Sequence, residues 1–86
     1  MSSERRVVYS RDALKALRSI DARSSKLIRS KVTQYAADPA SLANNVKKLQ
    51  GTPAFRLRVG DYRVIFTDDM VVLLIVRIGH RREVYD

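Results

Sequence analysis

The sequence predicts an α+β domain in which a short N-terminal strand and a helical hairpin precede an antiparallel β-sheet, in the order β-α-α-β-β-β. Apolar residues recur at helical spacing in the first half of the chain, and strict two-residue alternation begins at Phe55. A nearly continuous run of Val, Leu and Ile then occupies residues 71–76. Helices that precede such strands are expected to cover one face of their sheet. The chain has 86 residues, so we expect a single domain over 1–86.

The first half of the chain predicts one strand and two helices. The β-prone segment 6–9 is followed by Ser10, which can cap a helix over 11–20. A second helix is expected to begin between Asp21 and Ser24 and to stop before Pro39, because the residue before a proline resists helical geometry. Residues 39–53 are predicted to be mostly a connection, with a short helical turn at 41–44.

The second half predicts three strands. In residues 55–59 the apolar side chains face one way, and Arg56 and Arg58 face the other. Gly60 and Asp61 are typical of a tight hairpin turn, after which 62–67 returns with Arg63 on the polar side. The run from Val71 to Ile78 predicts a fully buried central strand, because continuous apolar runs are typical of strands covered on both faces.

The charge of the chain indicates a polyanionic partner. Seventeen Lys and Arg residues against nine Asp and Glu give a net charge of +8. Such an excess on a small domain favours nucleic acid, through contacts to phosphates, although solubility alone is the alternative. No apolar stretch is long enough to cross a bilayer and no signal peptide is recognisable, so we expect a cytoplasmic protein.

The composition argues against several kinds of site. The absence of cysteine excludes disulfides and thiolate metal sites, and a lone histidine cannot form a structural zinc site. There is no phosphate-binding Gly-rich loop, no dinucleotide fingerprint, no nucleophile elbow and no carboxylate pair placed for acid and base roles. We therefore expect neither a metal nor a cofactor. Metal-free cleavage of RNA stays chemically open, because there the 2′-hydroxyl of the substrate is the nucleophile.

Arginine side chains are predicted to gather on the face of the sheet that carries no helix. Arg56 and Arg58 come from one strand and Arg63 from its hairpin partner, with Arg81 just beyond the third strand. Arginine presents a planar fork that matches phosphate oxygens and stays charged in any realistic site. Arg56 and Arg58 alone could be the solvated side of an amphipathic strand, but Arg63 on the same face favours a binding site.

Two further side chains near the C-terminus could transfer protons. His80 is of the one residue type that exchanges protons near neutral pH, although a structural or surface role is the alternative. Tyr85 follows Arg81 and Arg82, whose charges would favour its ionised form. It could then accept a proton or stack on an exposed base. The alternative for Tyr85 is an aromatic side chain that covers the edge of the core.

The stretch from Lys48 to Tyr85 resembles the RelE/ParE toxin superfamily. The resemblance lies in the motifs Leu-x-Gly, Arg-x-Arg-x-Gly-Asp-Tyr-Arg, Gly-His-Arg and Val-Tyr, and the helical hairpin before them fits the same fold. It implies a small toxin of a type II toxin–antitoxin pair, with a RelE-like fold, that forms an oligomeric complex with its cognate antitoxin. In that superfamily the RelE branch cleaves messenger RNA in the ribosomal A site, and the ParE branch poisons DNA gyrase.

The resemblance also implies roles for individual residues. RelE-like enzymes carry basic residues on the second strand, an arginine on the third, an arginine after the Gly-x-Arg turn and a C-terminal tyrosine; all five positions are matched here. Arg56 and Arg58 would bind the substrate together with His80, whereas Arg63, Arg81 and Tyr85 would be catalytic. Some relatives place a histidine beside the final tyrosine, but His80 lies five residues earlier.

We therefore expect an mRNA endonuclease that acts with the ribosome. A non-catalytic gyrase inhibitor like ParE and an inert basic module that serves only as an antitoxin's partner are the alternatives.

Overall fold

The computed structural model describes residues 4–84 and confirms the predicted α+β fold class. The strands form one five-stranded sheet in the order β1-β5-β4-β3-β2. Both helices contribute to the same core as the inward side chains of the sheet, so the other face of the sheet stays open. The elements are β1 (Arg6–Tyr9), α1 (Arg11–Ser19), α2 (Ala22–Ala37), a 3-10 helix (Pro39–Asn45), β2 (Val46–Lys48), β3 (Phe55–Val59), β4 (Tyr62–Asp68) and β5 (Val72–His80).

The predicted helix boundaries are confirmed, and side-chain caps explain them. The hydroxyl of Ser10 accepts a hydrogen bond from the backbone N–H of Ala13 at 3.0 Å, at the start of α1. The carboxylate of Asp21 accepts one from the N–H of Ser24 at 2.9 Å, at the start of α2. Such caps satisfy backbone donors that have no partner within the helix.

The core lies between the two helices and the inward side chains of β3, β4 and β5. Phe66 of β4 is 1% exposed and lies at its centre. Its ring contacts Tyr35 of α2 at a centroid distance of 5.0 Å and Phe55 of β3 at 5.5 Å. The predicted alternation in β3 and β4 is confirmed, because Leu57 and Val64 are buried in the same layer. This leaves the intervening arginines on the open face.

The segment 39–53 contains more structure than the sequence predicted. A 3-10 helix covers Pro39–Asn45 and leads directly into β2, which pairs antiparallel with β3. This strand has three residues, two of them lysines, so neither alternation nor apolar content marks it. Its strand geometry depends on pairing with β3, a tertiary contact that local sequence does not encode.

The sheet is not wholly antiparallel. β1 pairs parallel with β5, whereas the remaining pairs are antiparallel. The helical hairpin forms the first part of the crossover that separates these two parallel strands. Because β1 lies outside β5 and both β3 and β2 lie beyond β4, the central strand is β4. The prediction that the Val71 to Ile78 run is central was wrong. Arg5, just before β1, donates from Nε to both carboxylate oxygens of Asp68 at 2.9 and 3.1 Å and ties β1 to the end of β4.

The prediction that β5 is fully buried was also wrong. Leu74 is 36% exposed and Val76 is 39% exposed, because the helices cover only the opposite face of the sheet. Leu74 lies directly opposite Val8 of β1, which is exposed too. We call Val8, Leu74 and Val76 the aliphatic patch.

A β-bulge in β5 decides which way its last residues face. Phe66 of β4 lies opposite Ile75 and Ile65 lies opposite Arg77, so Val76 has no partner in β4. One extra residue reverses the alternation that follows it. Ile78 is therefore buried with Ile75, and the residues at odd positions after it face the open side.

Candidate functional site

Arginine side chains from neighbouring strands meet on the open face of the sheet. Arg56 and Arg58 alternate with the buried residues of β3, and Arg58 lies directly opposite Arg63 of β4. Like charges placed opposite one another across a strand pair destabilise a sheet. A local arrangement that opposes stability is typical of a functional site.

Arg63 is held at the centre of this face. Its Nη1 donates to the carbonyl oxygens of Gly60 and Tyr62, both at 3.0 Å, so the guanidinium is fixed against the β3–β4 turn. Gly60 adopts a φ of +58° in this turn, a left-handed conformation that favours glycine. The residue opposite Arg63 in β5 is Gly79, which puts no side chain over it.

Positive charge from neighbouring arginines dominates the electrostatic environment of Arg63. Burial is the main cause that lowers the pKa of Arg63 below its ordinary value, and the charges of Arg56, Arg58 and Arg81 lower it further. The carboxylate of Asp61 acts in the opposite direction and does not cancel these effects. Arginine nevertheless stays charged, so the surrounding field favours the binding of an anion.

Arg81 reaches the same place from the end of β5. Its backbone N–H donates to the carbonyl oxygen of Asp61 at 2.7 Å, which joins the segment after β5 to the β3–β4 turn. Its Nε lies 3.9 Å from a carboxylate oxygen of Asp61, and the two side chains are 56% and 68% exposed. An ion pair so long and so exposed is weak, and a phosphate can displace it. We call Arg56, Arg58, Arg63 and Arg81 the arginine cluster.

His80 lies on the other side of the sheet. It is opposite Tyr62, and the two rings meet edge to face at a centroid distance of 5.8 Å on the helix side. Its Nδ1 accepts a hydrogen bond from the backbone N–H of Arg82 at 3.2 Å. The bulge at Val76 is the physical reason, because it turns His80 inward and Arg81 outward. The structure therefore does not bring His80 together with the arginine cluster.

Tyr85 lies outside the described residues, so its place relative to the arginine cluster is not assigned. The chain leading to it is fixed as far as Val84, which is 5% exposed.

Sequence reasoning missed two charged residues of this face. Lys47 of β2 lies directly opposite Arg56, which extends the row of positive charge by one strand. It was missed because β2 was not predicted. Arg77 faces the open side beside Ile65, and its Nη2 donates to the carbonyl oxygen of Glu83 at 3.1 Å. Sequence alone did not show that Arg77 faces the open side, because the bulge changes the alternation of β5.

Within residues 4–84 no three His, Asp or Glu side chains are grouped so that they could hold a metal ion. Neither of the helices in this part of the chain has the length and apolar content needed to span a membrane.

Comparison with known proteins gives a family match over nearly the whole chain. Residues 7–85 match the model of the ParE toxin of the type II toxin–antitoxin system parDE. Among curated protein sequences, no significant match is found.

Several solved structures with the same fold are RelE proteins. RelE of the archaeal RelE–RelB complex from Pyrococcus horikoshii OT3 has 27% identity and a TM-score of 0.75, over 93% of this chain and 98% of that one. The toxin of the intact Escherichia coli RelBE complex has 21% identity and a TM-score of 0.71, over 88% and 95%. A double arginine-to-alanine variant of E. coli RelE in the free state has 21% identity and a TM-score of 0.74, over 93% and 86%.

Proposed function

This chain belongs to the ParE toxin family of type II toxin–antitoxin systems, within the RelE/ParE superfamily, and we propose that it cleaves messenger RNA on the ribosome. The observation that carries the proposal is the arginine cluster. Arg56, Arg58 and Arg81 lie near enough to Arg63 on the open face for their charges to lower its pKa, and the exposed carboxylate of Asp61 acts against them. The positive charge attracts the phosphate groups of RNA, and the open face of the sheet has room for an extended strand.

The reaction needs little from the protein beyond charge and proton transfer. The 2′-oxygen of one nucleotide attacks the adjacent phosphorus, and the bond from phosphorus to the 5′-oxygen breaks. The upstream fragment keeps a 2′,3′-cyclic phosphate and the downstream fragment begins with a 5′-hydroxyl. A base removes the proton of the 2′-hydroxyl, and the leaving 5′-oxygen receives a proton. Negative charge that develops on the phosphate oxygens is stabilised by fixed cations.

Each residue of the cluster has a role in this scheme. Arg56 and Arg58 hold the phosphate backbone, and Arg63, fixed by two carbonyl oxygens, stabilises the phosphorane charge. Arg81, whose ion pair with Asp61 is long and exposed, neutralises charge at the leaving oxygen. Arginine hardly deprotonates, so the base must be another group, and Tyr85 is our candidate. His80 faces the helices and has no part in this scheme.

An antitoxin partner fits the same face. The RelE proteins of P. horikoshii and E. coli were solved in complex with RelB antitoxins. Here Ile65 of β4 lies opposite Arg56 of the arginine cluster and, on its other side, opposite Arg77, which directly follows Val76 of the aliphatic patch. An acidic chain with apolar side chains would cover both and keep RNA away. We propose that the cognate antitoxin neutralises the toxin in this way, within an oligomeric complex.

Inhibition of DNA gyrase is the second candidate function. The specific observation in its favour is that the family model matching residues 7–85 is that of ParE rather than RelE. This function needs a binding surface but no base and no transfer of protons. Expression would then cause DNA damage signalling rather than translation arrest.

The experiment that tests the nuclease proposal compares wild type, Arg81→Ala and Arg82→Ala in a purified translation system, with primer extension on the message. Arg82 is the matched control, because it is an exposed arginine next to Arg81 and is not among the charges that lower the pKa of Arg63. Ribosome-dependent cuts with wild type and Arg82→Ala, and none with Arg81→Ala, would support the proposal. Intact message with all three proteins would refute the nuclease proposal, and a supercoiling assay for gyrase inhibition would follow.

A further inference from the structure

The segment after β5 is docked on the sheet rather than free. We call residues 81–84 the C-terminal turn. Its first residue donates a hydrogen bond from Arg81 N–H to the carbonyl oxygen of Asp61, and Glu83 N–H donates to the carbonyl oxygen of His80, both at 2.7 Å. Its last residue, Val84, is almost completely buried outside the main core. A surface turn that buries an aliphatic side chain has a defined position.

Gly79 is the surface on which this turn rests. A Cβ atom at this position would lie 2.8 Å from Cγ2 of Val84, closer than two carbon atoms can approach. The next contact, to Oε1 of Glu83 at 3.5 Å, is an ordinary one. Gly79 has no left-handed φ, so space rather than backbone conformation requires glycine here. Any larger residue at 79 must displace Val84.

Glu83 fastens the turn to the strand. Its Oε1 accepts a hydrogen bond from the backbone N–H of His80 at 2.9 Å, and its carbonyl oxygen accepts one from Nη2 of Arg77 at 3.1 Å. β1 pairs with β5 only as far as Ile75, so the edge of β5 near His80 is left to the C-terminal turn. The Glu83 carboxylate thus accepts a hydrogen bond from a backbone N–H at the edge of β5, as the carbonyl of a neighbouring strand would.

These contacts converge on the arginine cluster. Gly79 lies directly opposite Arg63, so the turn that rests on it carries Arg81 beside Arg63 and starts the chain toward Tyr85. We infer that Gly79 and Glu83 are positioning residues for the phosphate site, and that docking of the C-terminal turn sets the rate of RNA cleavage. This inference rests on the proposed nuclease function. Gly79 and Glu83 touch no substrate and act only through Arg81 and the residues after it.

The test uses a pair of substitutions of complementary size. Gly79→Ala places a methyl group against Val84 and should undock the turn, whereas Val84→Ala removes the clashing Cγ2. The double variant Gly79→Ala/Val84→Ala should accommodate the new methyl group. We expect Gly79→Ala to lower the single-turnover cleavage rate on saturating ribosomes by about tenfold to a hundredfold, because small misplacements of catalytic groups have effects of that size. The half-saturating concentration should hardly change, and the double variant should recover most of the rate.

Glu83 gives an independent comparison. Glu83→Gln keeps an oxygen acceptor for the N–H of His80 and should cleave nearly as fast as wild type, whereas Glu83→Ala should be slow like Gly79→Ala. Equal rates for Glu83→Gln and Glu83→Ala would contradict a positioning role for this hydrogen bond. So would a Gly79→Ala variant as fast as wild type, or a double variant no faster than Gly79→Ala.

Amide hydrogen exchange separates this inference from the proposed function. Docking should protect the amides of Arg81 and Glu83 in wild type, and Gly79→Ala should expose them while β4 stays protected. If wild type cuts no RNA, the proposed function fails and the positioning role with it, and exchange still reports whether Gly79 holds the turn. If wild type cuts RNA and exchange and rate are unchanged in Gly79→Ala, only the positioning inference fails.

Discussion

Replacement of Arg63 by glutamine should separate the stability of this protein from its activity. Arg63 donates two hydrogen bonds to carbonyl oxygens at 3.0 Å, and each such bond contributes about 0.5–1.5 kcal/mol. The same substitution removes repulsion from Arg56, Arg58 and Arg81. This gain offsets part of the loss, by about a few tenths of a kcal/mol for each of these neighbours. The two effects oppose one another, so we expect the free energy of unfolding to change by less than about 2 kcal/mol.

The effect of Arg63→Gln on cleavage should be much larger. Loss of one fixed group that stabilises transition-state charge lowers the rate by about a hundredfold to a thousandfold. The assay measures cleavage of a translated message by wild type and by Arg63→Gln at equal concentrations of folded protein. The folded fraction of each protein is determined by urea denaturation. Arg23→Gln is the control, because it makes the same chemical change at an exposed arginine of α2, on the opposite side of the sheet. If Arg63→Gln cleaves within about threefold of wild type, the arginine cluster does not stabilise the transition state.

Three further predictions concern the scaffold that holds the site. Phe66→Ala should lower the free energy of unfolding by about 3–5 kcal/mol, because it empties the centre of the core; a urea midpoint within error of wild type would contradict this. Ser10→Ala should cost about 1 kcal/mol or more in the same assay, because the hydroxyl caps α1 and also donates to the carbonyl oxygen of Val76 at 2.7 Å, and a neutral effect would contradict this. Hydrogen bonds from the backbone N–H groups of Val72 and, less strongly, Val71 lower the pKa of Asp69, so its stabilising effect is present above about pH 4 and disappears as pH falls through the lowered pKa. The difference in melting temperature between wild type and Asp69→Asn should therefore vanish in strong acid, and a difference that persists there would refute the assignment.

Most of the fold could be predicted because its signals are local. Ser10 and Asp21 mark the starts of the helices, because their side chains bond to backbone groups three residues on. Gly60 marks a turn, because glycine readily adopts the left-handed φ that this turn requires. The alternation around Arg56 and Arg58 shows which side of β3 is buried. Each of these features depends on a few consecutive residues, which is why sequence alone is sufficient.

The features that sequence did not predict are set by tertiary pairing. The three residues of β2 become a strand only because β3 offers a partner, so Lys47 was not recognised as part of the basic face. The bulge at Val76 depends on the register between β4 and β5. Without it, simple alternation from Ile75 would send His80 to the open face and Arg81 into the core. The four arginines of the candidate site were predicted from residue type and resemblance, but the separation of His80 from them required the structure.

The chemistry of the RNA ends made during translation with purified toxin distinguishes the nuclease proposal from its alternatives. We expect cuts only on ribosome-bound message, with a 2′,3′-cyclic phosphate on the upstream fragment and a 5′-hydroxyl on the downstream one. Intact message together with inhibited gyrase supercoiling would contradict the nuclease proposal and assign the arginine cluster to protein binding instead.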